Sequence, residues 1–89
     1  MRYLVQRTRF RRDYKLQKLR GKKLEKLDKI IRTLLKNGAI DVAYYPHKLS
    51  REWDNVWECH IEPDWLLIYK ITDSEVLLIR TGTHADLFK

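Results

Sequence analysis

Three histidines, His47, His60 and His84, carry most of the chemical potential of this sequence, and all lie in its second half. An imidazole has an unperturbed pKa of about 6.5, so it gives or takes a proton near neutral pH. Asp64 stands four residues after His60, and Arg80 four residues before His84. Such a set can cleave a phosphodiester when the substrate carries its own nucleophile, as RNA does in its 2′-OH. The protein must remove that proton, protonate the departing 5′-oxygen and stabilise the extra charge on phosphorus. Two imidazoles, or an imidazole and a carboxylate, serve the first two needs. Arg80 is the candidate for the third, and Lys48, beside His47, is a second cation for it.

No pair of histidines has close ligand spacing such as H-x-x-x-H, so no metal site and no cofactor is expected. Trp53 and Trp57 read as packing residues. Trp65 is the exception, because it follows Asp64 at the presumed site. Cys59 alternates with Trp57 and Ile61 and reads as buried.

The elements that must position these residues follow from periodicity. Arg2–Arg7 reads as a strand. Thr8 reads as the N-cap of a helix over Arg9–Arg20, with Phe10 and Tyr14 four apart. Gly21 separates it from a second helix, whose stripe of Leu24, Leu27, Ile31 and Leu34 is widened by Ile30 and Leu35. Asn37-Gly38 is a stop signal. Ala39–Trp53 has no sustained period and reads as a long loop holding Pro46, His47 and Ser50, with room for a short strand at its end. Strands follow at Asn55–Ile61, Trp65–Ile71 and Val76–Thr81, joined by the turns Glu62-Pro63-Asp64 and Thr72-Asp73-Ser74-Glu75. Short connections make these three an antiparallel meander. The expected fold is α+β: a small antiparallel sheet, N-terminal strand plus C-terminal meander, with two N-terminal helices packed on it. The meander carries the end of the last strand, and His84 beyond it, back to the end that holds His60 and Asp64.

With 89 residues the chain suits one domain spanning 1–89. A domain of this size buries only about 60% of its unfolded surface, so its stability should be modest without a partner. Lys and Arg total 19 against 12 Asp and Glu, a net charge of +7. That field favours nucleic acid, an anionic membrane or an acidic protein. On the second helix and its approach, Lys22, Lys23, Lys26 and Arg32 lie mostly off the apolar stripe and are candidates for phosphate contact; as bland alternatives they form a solvated face. The single cysteine excludes an intramolecular disulfide and fits a reducing compartment, most simply the cytoplasm. The start lacks the long apolar core of a signal peptide, and the apolar runs Trp65–Tyr69 and Val76–Ile79 are too short to span a bilayer.

Two stretches resemble the YafQ branch of the RelE-like mRNA interferases. One is H-K-L-S-R-E-W at His47–Trp53. The other is E-C-H-I-E-P-D-W-L-L-I-Y-K at Glu58–Lys70, followed by R-T-G-T-H-A-D-L-F at Arg80–Phe88. Together the patterns H-x-x-P-D-W-x-L-x-Y and R-x-G-x-H-x-x-L-F are specific. The first half is similar only in layout. The resemblance implies a RelE-like fold, ribosome-dependent cleavage of mRNA in the A site beside rRNA, and a cognate antitoxin. Carried over by position, it implies a catalytic set of His47, His60, Asp64, His84 and Phe88, with Trp65 as a neighbour, Arg80 near the scissile phosphate and Glu58 contributing. Lys48 departs from the pattern, which commonly has proline there, so substrate contacts beside His47 should differ. The competing readings are a non-catalytic basic module of the same fold that binds RNA or an acidic protein, and a metal-dependent hydrolase. Cleavage that survives a chelator separates the first reading from both.

Overall fold

The computed structural model describes residues 1–49 and 55–88. The chain forms β1 (Tyr3–Gln6), α1 (Thr8–Leu19), α2 (Leu24–Asn37), a short 3-10 turn (Val42–Tyr44), β2 (His47–Lys48), β3 (Val56–Glu62), β4 (Trp65–Ile71), β5 (Glu75–Gly82) and α3 (His84–Leu87). The strands make one sheet in the order β1-β5-β4-β3-β2. The packing expected of Trp53, and the place of Ser50 in the loop, lie outside the described residues.

The helices cover one sheet face. From α2, Leu27, Ile30, Ile31 and Leu34 are buried, matching the stripe read from the sequence. They meet Phe10 of α1 and the residues of β3–β5 that point the same way, including Cys59, Ile61, Trp65, Leu67, Tyr69, Val76 and Leu78. Each such side chain contributes about 1.5–3 kcal/mol when fully buried. The α2 helix ends where Gly38 adopts φ 71° and its N–H donates to the Leu34 carbonyl. That left-handed conformation is inexpensive only for glycine. Tyr14 Oη donates to Asp28 at 3.1 Å and ties α1 to α2 across the Gly21 hinge.

Three details refine the expected architecture. Strand β1 runs parallel to β5, with Tyr3 opposite Glu75 and Gln6 opposite Leu78, so the sheet is mixed rather than wholly antiparallel. Parallel pairing requires a crossover, and the helices provide one. The loop contributes a fifth, two-residue strand, β2, antiparallel to β3. Thr8 is the first residue of α1 instead of its cap: Arg7 takes the cap position, makes no side-chain cap bond, and still donates its N–H to Leu78 of the sheet. The chain passes from strand to helix with no spacer for a cap to occupy.

A bulge in β5 matters most for the site. Tyr69 of β4 faces Leu78, yet Ile68 faces Arg80, so Ile79 is an extra residue. Without it, strict alternation would put Arg80 on the core face with Val76 and Leu78. With it, Arg80 falls on the face away from the helices. One cross-strand row therefore reads His47, Glu58, Ile68, Arg80 through β2, β3, β4 and β5. The next row places His60 beside Leu66 and Gly82.

Candidate active site

The three histidines gather on the uncovered face at one end of the sheet. The His60 ring lies 6.5 Å from that of His47 and 5.8 Å from that of His84. Each comes from a different element, β2, β3 and the first turn of α3, as the meander requires.

All three rings are held by Nδ1. His47 Nδ1 lies 2.9 Å from the Tyr45 carbonyl, and His60 Nδ1 lies 3.3 Å from the Pro63 carbonyl. A carbonyl oxygen only accepts, so both Nδ1 atoms carry their proton. His84 Nδ1 lies 2.6 Å from Asp64 Oδ1, which also accepts from the His84 backbone N–H at 2.9 Å. Those two bonds, the backbone one first, hold the Asp64 carboxyl below its usual range. A carboxylate again needs the proton on Nδ1. In every neutral ring, then, Nε2 bears the lone pair, and in every charged ring Nε2–H is the second donor.

Glu58 sits beneath this group, only 7% exposed. Its Oε1 lies 3.5 Å from His47 Nε2 and 3.9 Å from His60 Nε2. It is placed to attract either ring by charge when that ring carries a second proton. Arg80, at the far end of the same row, donates from Nε to Asp13 Oδ2 at 2.7 Å and from Nη2 to Asp13 Oδ1 at 3.2 Å. Asp13 Oδ2 also accepts from the Thr81 N–H, which shows that α1 lines the stretch of β5 that β1 does not reach. This pairing fixes the guanidinium plane and raises the Arg80 pKa further, chiefly through the hydrogen bonds it donates to Asp13.

The small helix α3 begins at His84 and is followed directly by Phe88. Thr83 and Asp86 form a reciprocal capping box at its start. Asp86 is gripped by Arg20, the residue that ends α1, with Nη1 to Oδ2 at 2.6 Å and Nη2 to Oδ1 at 3.1 Å. A side chain at position 82 would meet the Asp86 carboxylate at 2.9 Å, so the close approach depends on Gly82. The Phe88 ring stands 6.5 Å from that of His84 and is 54% exposed.

A family model described as the bacterial toxin of type II toxin-antitoxin systems, YafQ, matches residues 2–89. The chain belongs to the YafQ family. The mRNA interferase toxin YafQ of Escherichia coli (strain B / BL21-DE3) is 44% identical over 81 residues, covering 89% of this chain and 87% of that protein. A chain in the crystal structure of the E. coli DinJ–YafQ complex superposes with a TM-score of 0.93 at 38% identity, each chain covered over 100%. A metal-bound toxin from Helicobacter pylori superposes with a TM-score of 0.89 at 30% identity, covering 99% of this chain and 100% of that one. Among the described residues of the present YafQ-family chain, no group of three His, Cys, Asp or Glu side chains is arranged to hold a metal ion.

Other candidates are placed differently from the sequence reading. Trp65 is fully buried, with its indole N–H donating to Thr81 Oγ1 at 3.0 Å, so its ring is not available to substrate. Asp64 next to it is exposed because it belongs to the turn between β3 and β4, whereas Trp65 is the first residue of β4 and points into the core. Lys48 for the same reason points away from His47: it pairs with Trp57 and holds Nζ 5.8 Å from that ring. Lys26 and Lys22 are bound to Glu62, at 2.9 and 3.8 Å, and Lys22 Nζ also lies 5.7 Å from the buried Trp65 ring. Lys23 is the exposed N-cap of α2 beside them. Arg32 lies about 15 Å further along α2 and lines a groove with Leu4 and Gln6 of β1, at the opposite sheet edge from β2.

Sequence reasoning missed Asp13, Arg20, Asp86 and Tyr45. Asp13 is the only acid in α1, and Thr83-x-x-Asp86 has the pattern of a capping box, so both left a readable trace. Arg20 is one of many cations and left none.

Proposed function

We propose that this protein is the toxin of a type II toxin-antitoxin pair and cleaves mRNA on the ribosome by general acid–base transesterification. The carrying observation is the set of three imidazoles with Nδ1 fixed and Nε2 free to exchange protons, flanked by Glu58, Asp64 and Arg80. In this reading the Asp64–His84 pair and the His47–His60 pair over Glu58 are the two proton-transferring ends. One takes the 2′-OH proton while the other delivers a proton to the departing 5′-oxygen. Arg80, oriented by Asp13, meets the charge that builds on the phosphoryl oxygens. Phe88 borders the same surface and is a substrate contact. Such a protein acts where ribosomes are, in the cytoplasm.

The name of the E. coli relative, an mRNA interferase toxin, supports the activity. The DinJ complex supports a separate antitoxin chain as partner. A net charge of +7 suits fast capture by an acidic segment that competes with RNA. The test is cleavage of a defined mRNA on translating ribosomes, with and without chelator, by the wild type and by His84→Ala. Cleavage that survives chelator and is lost in a folded His84→Ala protein is expected. Binding without cleavage would leave the non-catalytic module, and loss restored by a divalent ion would favour the metal-dependent reading. Co-expression with the neighbouring reading frame should yield a complex that no longer cuts.

A further inference from the structure

Tyr45 combines three properties that the chemistry above does not use. It is 71% exposed. Its backbone is held at φ 51°, ψ 49°, a left-handed conformation that is uncommon for a bulky residue and costs on the order of 1–3 kcal/mol. Its ring stands edge-on to His60, with centroids 6.0 Å apart and planes at 79°.

The strained backbone is built in. Asp41 caps the 3-10 turn by accepting from the Ala43 N–H at 2.8 Å, and the Tyr45 N–H closes the turn on the Val42 carbonyl at 2.9 Å. The Tyr45 carbonyl then orients His47. That last duty belongs to the backbone and is indifferent to the side chain. Asn or Gly would adopt the same conformation at lower cost. A tyrosine here is therefore unexplained by folding, and its ring gains little from burial. Beside it opens a cavity of about 700 Å³, lined by Tyr44, Tyr45, His60, Ile61, Glu62 and Pro63 among others. The rings of Tyr45, His60, His84 and Phe88 thus form a continuous series, with an exposed aromatic at each end of the histidine pair.

We propose that Tyr45 is a stacking platform for a nucleobase of the RNA, the base of a nucleotide flanking the scissile phosphate on the side opposite Phe88. The proposal rests on the RNA-cleavage reading above. A flat aromatic face suits any unstacked base, and the mainly apolar cavity receives a ring without demanding a particular hydrogen-bond pattern. The edge-on contact with His60 restrains the ring and lowers the ordering cost that a freely turning side chain would incur on binding.

The experiment uses a short synthetic mRNA programmed on bacterial ribosomes, and compares the wild type with Tyr45→Phe, Tyr45→Leu and Tyr45→Asn. Loss of a stacking ring should raise KM roughly 5- to 150-fold in the Asn and Leu variants, with a smaller change in kcat. Tyr45→Phe should stay within about threefold, because stacking needs the ring and not the hydroxyl. An mRNA with one abasic nucleotide beside the cleaved bond should bind the wild type and Tyr45→Asn equally. The melting temperature of Tyr45→Asn should equal or exceed that of the wild type, since the strain is relieved. A merely structural tyrosine gives the reverse, a lower melting temperature with an unchanged KM in whatever fraction stays folded. The idea is overturned if Tyr45→Asn matches the wild type in KM, if Tyr45→Phe is as weak as Tyr45→Asn, or if Tyr45→Asn melts several degrees lower. A wild type that cleaves no mRNA removes the RNA-cleavage reading itself. A wild type that cleaves, with Tyr45→Asn cleaving equally well, removes only the role of Tyr45.

Discussion

Asp64 Oδ1 accepts twice from His84, once from the ring Nδ1 and once from the backbone N–H. A single carboxylate oxygen thus fixes the tautomer, the ring direction and the first residue of α3. In the proposed mechanism His84→Ala should lower cleavage by about 10²–10⁴-fold with the fold retained, as read by circular dichroism and single-turnover kinetics. Asp64→Asn should cost less and change the pH–rate profile, because an amide can still orient the ring but carries no charge. Near-wild-type cleavage by a folded His84→Ala protein would remove His84 from the chemistry.

Arg80 and Asp13 should separate turnover from affinity and from stability. Arg80→Ala should reduce kcat more than it weakens RNA binding, because a cation at the phosphate helps most where charge accumulates. Asp13→Ala should reproduce part of that loss while costing about 2–3 kcal/mol in urea unfolding, since the Thr81 N–H and the guanidinium are both left without their acceptor. Equal losses of binding and turnover in Arg80→Ala would make it a binding residue only.

Glu62 restrains the charge of the α2 N-terminus, being held by Lys26 first and then by Lys22. Glu62→Gln should raise RNA affinity at low salt and steepen its salt dependence, with cleavage chemistry unchanged. Replacing both Lys22 and Lys26 by Ala should flatten the salt slope by roughly 0.7 for each phosphate of single-stranded RNA that is no longer neutralised. Filter-binding titrations from low to high salt read both changes, and a salt-independent affinity would contradict neutralisation of phosphates by these lysines.

Acid should loosen the end of the molecule that carries His84. Asp86 is held far below the usual carboxylate range by the Arg20 hydrogen bonds and then by the Thr83 N–H, and Asp64 is lowered by His84. A carboxyl depressed in the folded state adds stability above its unfolded pKa of about 4 and loses it as pH falls towards the folded value. The thermal midpoint should therefore hold from neutrality to about pH 5 and fall below about pH 4. Asp86→Asn should start lower at neutral pH and decline less steeply in acid. An acid limb identical to that of the wild type would show that Asp86 contributes no such linkage.

Much of this arrangement is legible in the sequence because it follows from periodicity and turn length. The α2 stripe, the Gly38 stop and the meander bring His60, Asp64 and His84 to one end without reference to any other protein. What was hidden depends on single-residue changes of register and on partners distant in the chain. The extra residue at Ile79 turns Arg80 from the core to the histidine face, and no alternation rule foretells it. The two-residue strand at His47 is too short to leave a period, and with it the opposite directions of His47 and Lys48 stayed out of view. Arg20 and Asp86 are a pair only in three dimensions.

The pairing of β1 with β5 joins Tyr3 to Glu75, nearly the full length of the chain apart. Closing so long a loop costs entropy that no local interaction offsets, so this seam should form late in folding. On a ribosome making this protein, the first strand must wait until the fifth has emerged. Arg80, set just past the seam, and Asp13, set just after the waiting strand, then meet last. The cation that the proposed mechanism sets at the phosphate is thus oriented only once β5 has joined the sheet, and a nascent chain that still lacks that strand holds this chemistry in abeyance.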